Sequence, residues 1–195
     1  CMLKYKHMTK YILHGGATRV KSQSNRDFFI EILKDLEEPI NLLISCHSKE
    51  LDRWEEVFEG LKKRFTEESP NKNITFVLAS ADTKILTQQI KEATAIYLHG
   101  GNTPKLFEAL KQVPNLKELF QNKTIAASSA GVYVLSKYYY TQDYENLCEG
   151  LNILPIKSIC HHSEAKMEDL EKLKNFKEEI EVVAIAEEKF IIKYV

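Results

Sequence analysis

Ser129 lies in IAASSAGVYVL, the run from Ile125 to Leu135, where an apolar stretch ends in Ser128-Ser129-Ala130-Gly131 and another begins at once. Small residues on both sides of one serine allow a tight turn from strand to helix. Such a turn lifts the hydroxyl above the end of a sheet and leaves the next amide, that of Ala130, free to face an oxyanion. The chemistry this position could do is attack on a carbonyl carbon. It also suits a serine that caps the following helix, since serine is a preferred N-cap residue, and the first glycine of a full GxSxG pattern is missing.

Two further small-residue turns end apolar runs. In HGGNTP, His99 to Pro104, the amides of Gly100 and Gly101 could hold developing negative charge. Asn102 or Thr103 could equally cap a helix with Pro104 in its first turn. The pair Gly15-Gly16 follows His14 in the same way, and ligands gather beyond strand C-termini in parallel sheets.

A serine hydroxyl needs a base within hydrogen-bond reach. His7 precedes the fold, His14, His47 and His99 end strand candidates, and His161 and His162 close a strand candidate downstream of the serine. That pair is the preferred source. The acid that orients the ring is expected among Asp143, Glu145 and Glu149, in the polar stretch TQDYENLCEG between serine and histidine.

These groups must be held by a scaffold, and the apolar pattern describes one. Short runs suited to buried strands alternate with helical periods, the signature of a mostly parallel sheet covered by helices on both faces. The strand candidates are Tyr11 to His14, Ile40 to Ser45, Ile74 to Ala79, Ala95 to His99, Thr124 to Ser128, Ser158 to Cys160, Val182 to Ala186 and Phe190 to Val195. Helical spacing covers Asn25 to Leu36, Glu50 to Phe65, a stretch from the N-cap candidate Asp82 to Ala93, and Met167 to Glu178. With no internal repeat or linker-like tract, residues 1–195 read as one α/β domain of three layers, α/β/α, in which residues 1–7 are an extension before the first strand.

With 27 basic and 28 acidic side chains mixed along the chain, no single-sign field invites nucleic acid. No apolar stretch approaches the roughly 20 residues of a membrane span, and no signal peptide is evident, so a cytoplasmic location is expected. Cys1, Cys46, Cys148 and Cys160 show no metal-ligand spacing, and neither a metal nor an organic cofactor is expected.

Three pieces together resemble the peptidase E family of serine peptidases, which includes aspartyl dipeptidases and cyanophycinases. They are Gly100-Gly101-Asn102-Thr103 after a strand, Ser129-Ala130-Gly131 in the elbow, and Leu151-Asn152-Ile153-Leu154-Pro155 leading to His161. The resemblance implies a fold like that of class I glutamine amidotransferases, with a Ser-His-Asp or Ser-His-Glu triad. It makes Ser129 the nucleophile, His161, six residues after Pro155, the base, and Asp143 of Thr141-Gln142-Asp143 the acid. Gly101 and Ala130 would form the oxyanion hole, with Gly100, Asn102 and Thr103 along the substrate. The chain departs from aspartyl dipeptidases in having Ser128 before the motif and Val132-Tyr133 after it. A dipeptide or short peptide, with N-terminal aspartate the first to try, is the implied substrate, Lys137 and Lys157 being candidate counter-charges. A homodimer is allowed. The alternatives are a binding or regulatory module on the same fold, and a related amidase or esterase; a glutaminase would ordinarily carry cysteine at the elbow.

Overall fold

The computed structural model describes residues 8–141, 143 and 145–195. Alternation along strand β1 (Lys10–His14) sets the plan: Tyr11 and Leu13 join one buried apolar cluster, and Ile12 joins another. The same division runs through β2 (Ile40–Ser45), β4 (Ala95–Leu98) and β5 (Thr124–Ser128). There Leu43, Ile96, Leu98, Ile125 and Ala127 go one way, and Leu42, Ile44, Tyr97 and Ala126 the other. Strands apolar on both faces must be covered twice. Helices α1 (Gln23–Leu33) and α2 (Trp54–Glu68) cover one face with Phe28, Phe29, Phe58 and Phe65. On the other, α3 (Thr83–Glu92), α4 (Thr103–Lys111) and the short α5 (Leu116–Leu119) bring Leu86, Ile90, Leu106, Leu110 and Leu116. The three-layer α/β/α plan is therefore as expected, and Asp82 caps α3 by accepting from the Lys84 and Ile85 amides.

With β3 (Ile74–Leu78) and β10 (Phe190–Tyr194), the central sheet has six strands in the order β10-β1-β5-β4-β2-β3. The pairs from β1 through β3 are parallel, and β10 runs antiparallel to β1 at one edge. Parallel strands deliver their C-terminal ends to one rim, so the turns after His14, Ser45, Leu98 and Ser128 share it.

The strands after the serine differ from expectation. Helix α6 (Ala130–Leu135) runs directly into β6 (Ser136–Thr141), which joins β7 (Asn146–Glu149), β8 (Leu154–Ile159) and β9 (Val182–Ala184) in a second sheet of four strands, ordered β7-β6-β8-β9. Aromatic residues in SKYYYT favour an extended chain over continued helix. Tyr138 and Tyr140 pack with Ile159 against Leu170 and Leu173 of α7 (Met167–Lys174), while Tyr139 turns the other way and stacks on Tyr133 at 4.8 Å between ring centroids. Among the described residues, no helix is long and apolar enough to cross a membrane.

Candidate active site

Ser129 stands between β5 and α6 with φ 48° and ψ −104°, a conformation that side-chain-bearing residues avoid at a cost of roughly 1–3 kcal/mol. Its side chain makes no capping bond. Two backbone bonds hold it there: its amide donates to the His14 carbonyl at 2.9 Å, and its carbonyl accepts from Tyr133 at 3.1 Å. The hydroxyl faces His161, with Oγ 2.8 Å from Nε2.

His161 follows β8, also at positive φ, and its amide donates to the Gly15 carbonyl at 2.9 Å. Nδ1 lies 2.8 Å from Oε1 of Glu187. An ionised carboxylate only accepts, so Nδ1 carries the proton and Nε2 is left to accept from the serine hydroxyl. The order Ser129, His161, Glu187 is thus a continuous hydrogen-bonded relay. Side-chain exposure is 32% for His161 and 57% for Glu187, so the carboxylate end of the relay is wet.

Glu187, and not the expected Asp143, is the carboxylate in contact with His161. It sits in the turn between β9 and β10, which is tied to the first strand's turn: Gly15 N–H donates to the Lys189 carbonyl at 2.9 Å and Glu188 N–H to the Gly16 carbonyl at 3.0 Å. Asp143 and Glu145 are exposed between β6 and β7, and Glu149 pairs with Lys177. Among the described residues, no hydrogen bond joins any of the three to His161. The signal available in the sequence was position: Glu187 directly follows a strand candidate, at the rim where the serine was already placed. In AEEK, however, it resembles an ordinary charged turn.

Of the other described histidines, none hydrogen-bonds to Ser129, and His7 lies outside the described residues. His14 bonds to Asn25, and His47 bonds to the Ser45 hydroxyl and the Ser80 carbonyl. Burial pushes His99 down to about 4, with Lys49 acting in the same direction. His162 follows His161 and anchors its backbone to the Ile185 carbonyl.

The loop from His99 to Asn102 is braced by Ser48, whose hydroxyl donates to the His99 carbonyl at 2.7 Å and whose carbonyl accepts from Asn102 N–H at 2.9 Å. A β-carbon on Gly100 would stand 3.4 Å from Cβ of Ser129, which places the loop against the elbow. Gly101 has φ 151°, and a β-carbon there would come within 2.6 Å of the Ser48 carbonyl, so the bend requires glycine. Among the described residues, neither Gly101 N–H nor Ala130 N–H donates to another backbone group. Asn102 serves the helix start, its side chain accepting from Lys105 N–H at 3.0 Å, and Thr103 is buried in the first turn of α4.

Cations gather beside this loop. Nζ of Lys49 would be 2.9 Å from a Gly101 β-carbon, and burial, with Arg19 next, lowers its pKa. Arg19 lines a cleft of about 300 Å³ with Thr18, Arg53, Val57 and His99. Arg53 and Arg64 at this cleft have carboxylate partners in Glu56 and Glu68, whereas among the described residues Arg19 and Lys49 form no ion pair. Lys137 pairs with Glu178, and the buried Lys157 donates to the Lys174 carbonyl, so both are committed elsewhere. Cys46 and Cys160 are buried thiols held protonated by desolvation.

Serine hydrolases are recognised by mutual geometry rather than by the order of their residues, and the contacts among Ser129, His161 and Glu187 have that form. Comparison of sequences is more particular. The model of Peptidase family S51 matches residues 50–193, and the chain belongs to this family of serine-type peptidases. Among solved structures, the fold is similar to that of a peptidase from an acI-B1 Actinobacterium, with a TM-score of 0.67 and 20% identity over 99% of this chain and 86% of that one. It is also similar to a putative peptidase E protein from Listeria monocytogenes EGD-e, with a TM-score of 0.63 and 19% identity over 96% of this chain and 99% of that one. None of the curated proteins compared matches the sequence.

Proposed function

We propose that the enzyme cleaves dipeptides or short peptides through a covalent acyl-enzyme, with Ser129 as nucleophile, His161 as base and then acid, and Glu187 as the group that holds the imidazole. The observation that carries this reading is the pair of 2.8 Å contacts on the two nitrogens of one ring, Ser129 Oγ at Nε2 and Glu187 Oε1 at Nδ1. As Oγ attacks the scissile carbonyl carbon, its proton passes to Nε2, and Glu187 stabilises the imidazolium that results. The amides of Gly101 and Ala130 receive the charge on the carbonyl oxygen. Nε2 then protonates the leaving amine, the C–N bond breaks, and a Ser129 ester remains. Water, deprotonated by the same nitrogen, releases the acid and restores the hydroxyl. No cofactor enters the balance.

An acidic group on the substrate is supported by Lys49 and Arg19, the two cations beside the loop that form no ion pair among the described residues. A panel of dipeptides differing only in the N-terminal residue tests the assignment. N-terminal aspartate is expected to be cleaved at least tenfold faster than leucine, with that preference lost in Lys49→Met. Equal rates across the panel would remove the acidic specificity, and no cleavage of any member would remove the peptidase assignment for Ser129.

A further inference from the structure

His14 and Asn25 are both fully buried, yet neither takes part in the relay. The two amide hydrogens of Asn25 go to the carbonyls of Ala17, at 2.9 Å, and Val20, at 2.8 Å. Its Oδ1 is therefore the atom that faces Nε2 of His14 at 2.8 Å, and an oxygen there requires a proton on Nε2. On the other side of the ring, Gly16 N–H donates to Nδ1 at 3.0 Å, which requires that Nδ1 carry none. Every atom of this cluster thus has a fixed role, and only the neutral Nε2–H tautomer satisfies them all. An imidazolium would set a ring N–H against the Gly16 N–H.

What the ring stabilises is a turn with a single use. The carbonyl of His14 accepts from Ser129 N–H at 2.9 Å, that of Gly15 from His161 N–H at 2.9 Å, and that of Gly16 from Glu188 N–H at 3.0 Å. Three successive carbonyls therefore receive the backbone of the nucleophile, of the base, and of the residue next to the acid. The three come from separate segments of chain, and these bonds tie each of them to the one turn. The Ser24 hydroxyl, from α1, donates to the Glu188 carbonyl and ties the same turn to the helix that carries Asn25.

We propose that the buried His14–Asn25 pair is the positioning device of the site, fixing the turn at residues 14–17 so that its carbonyls set Ser129, His161 and Glu187 in register. The inference rests on the relay proposed above, and His14 itself touches none of the reacting atoms. Relays lose rate steeply with small displacements, on the order of 100-fold for about 1 Å. Burial lowers the pKa of His14 to about 4, consistent with a permanently neutral ring; Asn25 and Glu188 act against this and His161 with it.

The test compares His14→Phe with His14→Asn. Phenylalanine retains a ring against Phe28, now 4.4 Å away between centroids, but offers Gly16 no acceptor. Asparagine places an oxygen near the position of Nδ1 and restores that acceptor. Labelling of Ser129 by a fluorophosphonate is expected to slow at least 30-fold in His14→Phe and to be at least threefold faster in His14→Asn than in His14→Phe, the bond to Asn25 being lost in both, at matched circular dichroism. The downfield Nδ1–H proton resonance of His161 should be lost or broadened in the first and retained in the second. That resonance reports the geometry whether or not Ser129 reacts, so its persistence in His14→Phe overturns the positioning role, while an unlabelled wild type with an intact resonance overturns only the hydrolase reading. Nitrogen-15 shifts of the wild-type ring need no variant to fold: they should show the Nε2–H tautomer from pH 8 to pH 5, and an Nδ1–H tautomer or an imidazolium at pH 7 overturns the proposal.

Discussion

The ring of His161 occupies the space that a side chain at Gly16 would need: a β-carbon there would lie 2.7 Å from each ring nitrogen. Gly16 also has φ 120°, which residues with a β-carbon rarely adopt. The glycine is thus a condition for the imidazole's position, 145 residues earlier in the chain than the ring it makes room for. Gly16→Ala is expected to displace the ring and lower kcat by about 100-fold, with circular dichroism close to wild type. Retention of more than half of wild-type kcat would show that the ring has another place to stand.

Glu187 and Asp143 make opposing predictions. Glu187→Gln keeps the shape but weakens the hold on the Nδ1–H tautomer. A buried aspartate in this role is worth about 10⁴ in kcat. Glu187 is more than half exposed, so a smaller loss, about 100-fold, is expected at pH 7.5. Asp143→Asn should stay within about threefold, since Asp143 is exposed and makes no hydrogen bond to His161. Steady-state kinetics of the two variants decide between them, and the reverse ranking would return the role to Asp143.

Acid should weaken the fold before it touches most carboxylates. Burial is the largest cause for both His14 and His99, and it pushes each down to about 4. In the unfolded chain a histidine titrates near 6.5. Between about pH 6.5 and 4 the unfolded chain therefore binds more protons than the folded one, and stability falls as pH drops through that window. Each histidine should contribute a loss of about 2 kcal/mol between pH 7.5 and pH 5. Urea midpoints across the range check this, and a flat profile would mean that both rings take up protons in the fold as readily as in the unfolded chain.

Much of this architecture is legible in the sequence, for reasons that also define where legibility stops. Runs such as INLLIS and TIAAS hold consecutive apolar residues, Leu42 to Ile44 and Ile125 to Ala127, as strands covered on both faces do. Ser129 stands out because a sharp elbow tolerates only small neighbours, and His161 because it closes a buried strand. Glu187 does not stand out: what distinguishes it from Glu188 or Glu145 is the contact of its Oε1 with His161 Nδ1, in a turn held by backbone bonds to Gly15 and Gly16 some 170 residues away, which no local pattern encodes. The cations are missed for the same reason. Lys137 is near Ser129 in sequence and turns to Glu178, whereas Lys49 is distant in sequence and lies beside Gly101. The second sheet escapes notice because α6 passes into β6 with no turn residue between them.

The central claim is that the Ser129 hydroxyl is activated through His161. Fluorophosphonate labelling followed by intact mass and peptide mapping tests it most directly. The account predicts one adduct, on Ser129, absent in Ser129→Ala and formed at least 100-fold more slowly in His161→Ala. Labelling of wild type and His161→Ala at the same rate, or an adduct at any other residue, would contradict it.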